Sequence, residues 1–270
     1  MTSEKCQCSS QCNQPIVSGT PFCRKHLLKG CGRQSPMSGS EPVYDPDKYN
    51  KDTSIRHSHN CFAYAFGVID ENQKANCQNT SNCNVPFHGP GIKSGFRRLS
   101  GKDGKTCADT MARTLADSDG GYPIGFTGRC KRGFSKIATV VDPSADFHYY
   151  RQDTNGLWSH KPGAMPVTNK DSLGDPIYDP ALAGRYYPSE REGDHELDYN
   201  SFCGYYCIPR DKALKIASGG RSRIDGGHSG SGSGGHRSRQ NRAAAVSASA
   251  TRRRDRSKRK TRRQRQPSKH

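Results

Sequence analysis

No run of this sequence approaches 18 consecutive apolar residues, so no segment reads as a membrane-spanning helix. The first residues, Met1 to Cys6, lack the apolar stretch of a secretory signal. That predicts a chain not exported by a signal peptide, with nucleus, host cytoplasm and virion all open as locations. Tryptophan occurs once, and apolar residues make up only 31% of the 270. Acidic side chains are almost missing from the C-terminal end, where Ala217 to His270 holds 16 Lys or Arg against 2 Asp or Glu. That stretch carries +14 of the chain's +18, which leaves +4 over residues 1–216. The basic balance is therefore a property of the tail. The tail and the N-terminal segment dilute the apolar content, and the middle is long enough for one ordinary core.

Cysteine is plentiful, at twelve. Without an export signal, such a count predicts metal and thiol chemistry ahead of disulfides. Disulfides follow only if the protein ends in a particle or an oxidising space. Composition divides the chain into four regions: a Cys-dense segment 1–33, a linker 34–55 packed on the core, a domain 56–212, and a Gly/Ser then Arg/Lys-rich tail 213–270. In the third region, Phe62, Ala65, Phe66 and Ile69 share one helical face, which predicts a helix over Asn60–Ile69 capped at Ser58 or Asn60. A second helix is expected over Thr106–Leu115, and a long loop over Glu71–Gly101. Lys136–Val141 reads as a buried strand, Phe147–Gln152 with Leu157–Lys161 as a hairpin, and Phe202–Ile208 as a closing strand. Helices first and strands after is an α+β order.

In the first segment, Cys8, Cys12, Cys23 and His26 offer four soft ligands within 19 residues. Two close pairs joined by a short loop fit a tetrahedral Zn site. Cys6 is an alternative to Cys8, and Cys31 is left over. The pattern resembles small treble-clef-like zinc knuckles. A segment this short has almost no core, so the ion would supply most of its folding free energy.

The middle domain holds a candidate catalytic set. Cys61 lies at a predicted helix start, His148 follows 87 positions later, and His160 sits on the next strand. A helix N-terminus and a neighbouring imidazolium both favour a thiolate. Asp153-Thr154-Asn155-Gly156 favours a three-residue loop with Gly156 left-handed, which would pair Tyr150 with His160 and put both histidines on one face. A two-residue Asn-Gly turn would instead put them on opposite faces. Asn169 is an alternative third member, and Asn60 is a candidate oxyanion donor beside the Cys61 backbone N–H. Asp146 reads as a strand cap. A catalytic metal on His57, His59, Cys61, His148, His160 and His195 is the weaker alternative. Cys203 and Cys207, four apart in a strand, are expected to face the same side, with packing as the default and pairing with Cys77, Cys83, Cys107 or Cys130, or a second metal, as alternatives.

Cys61 at a helix start, His148 on a strand and His160 on the next strand resemble the order in NlpC-type and CHAP-type papain-like cysteine hydrolases. The stretches around Cys61, Asp146–Gln152, Trp158–Gly163 and Phe202–Cys207 also resemble a set of largely uncharacterised proteins of bacteria and large DNA viruses. The resemblance implies a papain-like α+β core with a helix-borne cysteine and an antiparallel sheet. It implies a peptidase or amidase with Cys61 as nucleophile, His148 as base and His160 as orienter, acting on a peptide or amide substrate. The tail, dense in Arg and Lys over residues 252–265, cannot bury enough apolar surface to fold, and its charge fits nucleic acid or another polyanion. The rival expectation is a non-enzymatic structural or nucleic-acid-binding protein, for example a virion component.

Overall fold

The structure is a computed structural model that describes residues 5–8, 12–79, 83, 87–97, 105–189 and 196–211. The basic tail, including residues 252–265, and His195 lie outside the described residues. Among the described residues six helices come first: α1 (Arg24–Leu28), α2 (Asp47–Asn50), α3 (Thr53–Ser58), α4 (Cys61–Phe66), α5 (Glu71–Asn79) and α6 (Cys107–Asp117). Seven strands follow among the described residues: β1 (Tyr122–Ile124), β2 (Phe134–Asp142), β3 (Asp146–Gln152), β4 (Trp158–His160), β5 (Tyr186–Tyr187), β6 (Leu197–Asp198) and β7 (Ser201–Pro209). Five of them form an antiparallel sheet in the order β1-β7-β2-β3-β4, and β5 pairs with β6. The fold is α+β with an antiparallel sheet.

Strand alternation sorts the sheet into two faces. Ile137, Val141, Phe147, Tyr149, Tyr206 and Ile208 pack on one face against Cys61, Phe62, Ala65 and Phe66 of α4. Ala138, Val140, Tyr150 and Tyr205 point the other way and pack with Trp158, Ile177 and Tyr199. β2 runs through the centre and is buried from Ser135 to Asp142, its polar Ser135, Lys136, Thr139 and Asp142 included.

Two local devices set the geometry. In the hairpin, the Asp153 N–H donates to the Leu157 carbonyl at 3.0 Å, Gly156 takes φ +81°, and Tyr150 stands opposite His160. This is the three-residue loop with a left-handed glycine. In β7, Thr139 pairs with Gly204 but Val140 pairs with Phe202, so Cys203 is an extra residue in a β-bulge and Gly204 takes φ +118°. The bulge breaks the two-residue period. Cys203 therefore packs with the α4-side cluster while Cys207, opposite Lys136, faces the other side.

That overturns the expectation that the two cysteines share a side and the default that they only pack, and bears out the alternative that they pair with Cys107 and Cys130. Cys203 bonds Cys107 of α6, and Cys207 bonds Cys130. Cys8–Cys31 and Cys77–Cys83 are also disulfides, so eight of the twelve cysteines are paired and the preference for thiol and metal chemistry holds only for the other four. The span 71–101, expected as loop, contains α5, whose polar sequence has no apolar stripe to announce it. The span 34–55 is not all linker either. Its first part is stapled to the core by the Lys136 ammonium, which donates to Ser35 Oγ at 2.6 Å and to the Pro36 carbonyl at 3.0 Å. Its second part forms α2, and Tyr49 is buried with Ile55 and Tyr64.

Candidate functional site

The Asn60 side chain accepts from the Ala63 N–H at 3.0 Å and so caps α4, while its Nδ2 donates to the Phe87 carbonyl at 2.8 Å. Both ends of that amide make structural bonds, the Nδ2 with one of its two hydrogens. All six residues of α4 are buried, as expected of a helix apolar on every side. Cys61 is only 5% exposed, and its sulfur faces the Phe147 carbonyl at 3.9 Å. Among the described residues no hydrogen bond joins Cys61 to His148. Burial, reinforced by the Asp146 carboxylate, pushes the Cys61 thiol far above its ordinary value. The helix N-terminus does not offset that cost.

His148 and His160 do meet. Their Nε2 and Nδ1 atoms lie 2.7 Å apart, on the sheet face opposite α4. The proton positions follow from the partners. His160 Nε2 lies 2.9 Å from the Lys170 carbonyl, which can only accept, so His160 carries its proton there. Its Nδ1 then accepts from His148 Nε2–H, and His148 Nδ1 is left bare. Burial lowers both rings, with His160 pushed down to about 4, and the neighbouring His160 and Lys161 depress His148 further. A cavity of about 350 Å³ opens beside His148, lined also by Asp146, Met165, Tyr187 and Tyr199. Asp146 opens β3 and accepts from the Tyr199 hydroxyl at 3.1 Å. Asn169 gives its backbone carbonyl to the Ile177 N–H at 3.0 Å, and among the described residues no hydrogen bond ties it to His148.

Among the described residues, the wider set of histidines does not form a metal centre. His57 is exposed. His59 Nε2 accepts from the Asp70 N–H at 2.8 Å and its Nδ1 lies 3.1 Å from the Ile55 carbonyl, so both nitrogens serve the fold. Among the described residues the group that can hold an ion is Cys6, Cys12, Cys23 and His26, all buried, with ligand atoms within 4.8 Å of one another. Cys6 takes the place expected of Cys8, which is in the disulfide with Cys31. His26 Nδ1 lies 3.2 Å from Cys6 Sγ and 3.4 Å from Cys23 Sγ, and Cys12 Sγ is 3.5 Å from Cys23 Sγ. Zn–S bonds of about 2.3 Å in a tetrahedron put neighbouring sulfurs about 3.8 Å apart, so the cluster needs little adjustment to close on an ion. Burial alone would raise Cys6, but hydrogen bonds from the Cys23 N–H and from His26 outweigh it and bring the thiol down to about 6. Burial raises Cys23.

Sequence reasoning missed the groups behind this cluster. Asp175 and Asp171 receive Lys29 at 2.5 and 2.8 Å, and Asp175 also receives Lys25 at 2.9 Å. The i,i+4 spacing of both pairs was visible, but nothing local says that they meet.

No family model matches the chain, and no solved structure matches it. No helix among the described residues is long and apolar enough to cross a membrane. The chain is similar to insoluble matrix shell protein 1 of Ruditapes philippinarum, with 34% identity over 145 residues, covering 53% of this chain and 80% of that protein. With that identity across four fifths of the shell protein's length, the chain belongs to the family of insoluble matrix shell protein 1.

Proposed function

We propose that this chain is a non-enzymatic structural protein of an insoluble matrix, with a disulfide-locked core, a Zn-stabilised N-terminal knuckle and a basic tail that holds polyanions. The enclosure of Cys61 against the Phe147 carbonyl, away from any hydrogen bond to His148, is the observation that carries it. A thiol raised so far by burial offers almost no thiolate at neutral pH. The relationship to a shell matrix protein supports the same reading. So do the four disulfides, which persist in oxidising spaces. The tail, residues 252–265, supplies charge for counterion release on a polyanion. Mixed with a sulfated polysaccharide at low salt, the full chain is expected to pellet. Cys61→Ala should pellet equally well, and a chain ending at residue 211 should stay in solution. A full chain that remains soluble, or a truncated one that pellets as well, contradicts the proposal.

A second reading has a specific observation in its favour. The His148–His160 hydrogen bond leaves His148 Nδ1 bare beside a cavity, which is the state a general base needs. In this reading the core is papain-like. Cys61 attacks an amide carbonyl, His148 takes the thiol proton and returns it to the leaving amine, and water then releases the acyl group. It requires that Cys61 Sγ leave its contact with Phe147 and reach His148. Turnover of a peptide or isopeptide substrate by the wild type, absent in both Cys61→Ala and His148→Gln, would establish it.

A further inference from the structure

His26 stands between the cysteine cluster and the core. Its Nδ1 faces the sulfurs of Cys6 and Cys23, and its Nε2 lies 3.3 Å from Asp175 Oδ1, a residue 149 positions away. An ion in the cluster must therefore take Nδ1, which leaves Nε2–H to donate to the Asp175 carboxylate. That carboxylate is held from several sides. Lys25 and Lys29 reach its oxygens, and its own backbone N–H donates to Asp171 Oδ1 at 3.0 Å. Asp171 in turn accepts from Lys29 and from the Gly184 N–H at 2.7 Å. The surrounding hairpin is closed by bridges of Lys170 with Pro176 and of His160 with Thr168.

We infer that Asp175 is the positioning residue of the metal-bound imidazole, so that occupation of the Cys6/Cys12/Cys23/His26 cluster by a thiolate-preferring divalent cation locks the N-terminal knuckle onto the Lys170–Pro176 hairpin. The inference rests on the zinc reading of the knuckle. A carboxylate on the far nitrogen fixes the tautomer and the ring orientation and makes the ligating nitrogen more basic. The coupling is reciprocal. If the docked hairpin strengthens ion binding, ion binding strengthens docking by the same factor. The Tyr178 hydroxyl donates to the Cys8 carbonyl from the same side of the core, so the knuckle is gripped at two points.

The test uses the full chain, titrated with Zn²⁺ against a chromogenic chelator, with hydrogen exchange followed in parallel. Wild type should take one Zn²⁺, and exchange should slow both in residues 12–31 and in residues 170–176. Asp175→Asn, which keeps the side-chain shape, should bind Zn²⁺ 10- to 100-fold more weakly. Its residues 170–176 should lose the zinc-dependent protection. Unchanged exchange in β2 of the variant shows that the core is folded. If β2 is lost, Asp175→Glu, which restores the charge, should recover at least part of the affinity. Equal Zn²⁺ affinity in wild type and Asp175→Asn, or a Glu variant no better than Asn, overturns the inference while leaving the zinc reading intact. A wild type that binds no Zn²⁺ overturns both.

Discussion

His148 Nε2 donates to His160 Nδ1 at 2.7 Å, on the sheet face that α4 does not cover. The two rings therefore form a buried neutral pair, tied through His160 Nε2 to the Lys170 carbonyl at 2.9 Å. Cys61 belongs to the helix-side cluster, with β3 between it and the Tyr150 and Trp158 cluster that surrounds those rings. The pair thus has a clear structural role whatever its chemistry.

Stability should fall on mild acidification. His160 is lowered to about 4 in the folded protein, against about 6.5 in an unfolded chain. Below about pH 6.5 the unfolded state binds the proton that the folded state refuses, so the stabilisation is complete above that pH and is lost as pH falls toward 4. The difference is worth roughly 3 kcal/mol. Denaturant midpoints measured from pH 7.5 to 4 should drop steeply for wild type. His160→Gln should be less stable at pH 7 and show a shallower drop. An equal pH slope in that variant would show that the pair is not the titrating element.

Removing the Cys107–Cys203 bond with a double Cys→Ser substitution should cost about 2–5 kcal/mol, because it frees α6 from β7 across a sequence separation of 96. Urea unfolding under non-reducing conditions measures it. An unchanged midpoint would mean that the bulged strand is held by packing alone.

Much of this was legible. The hairpin register came from Asp153 and Gly156, because turn chemistry is local; α4 came from its apolar face and a cap expected at Ser58 or Asn60, of which Asn60 is the cap, and α6 from the helical spacing of Cys107, Met111 and Leu115. What stayed hidden depends on contacts between distant segments. The bulge at Cys203 changes which cysteines can meet, and it answers to a register shift in β2. The enclosure of Cys61 depends on how α4 docks against β3. Asp175 reaches His26 only because the whole core folds between them.

Asn60→Ala removes both the cap on Ala63 and the bond to Phe87. Losing the cap alone costs about 1 kcal/mol, and a buried carbonyl left unpaired adds about 1–3 kcal/mol. A lower thermal midpoint is expected, with Asn60→Asp recovering the cap but not the bond to Phe87. A variant as stable as wild type would mean that α4 is positioned by packing alone.

The central claim is that Cys61 is a structural thiol. Treating the zinc-loaded native chain at neutral pH with a broad electrophilic thiol probe, then mapping the modified peptides, tests it most directly. The account predicts that Cys61 stays unmodified until denaturant is added. Rapid stoichiometric labelling of Cys61 in the native chain, abolished by His148→Gln, would contradict it and establish an activated nucleophile.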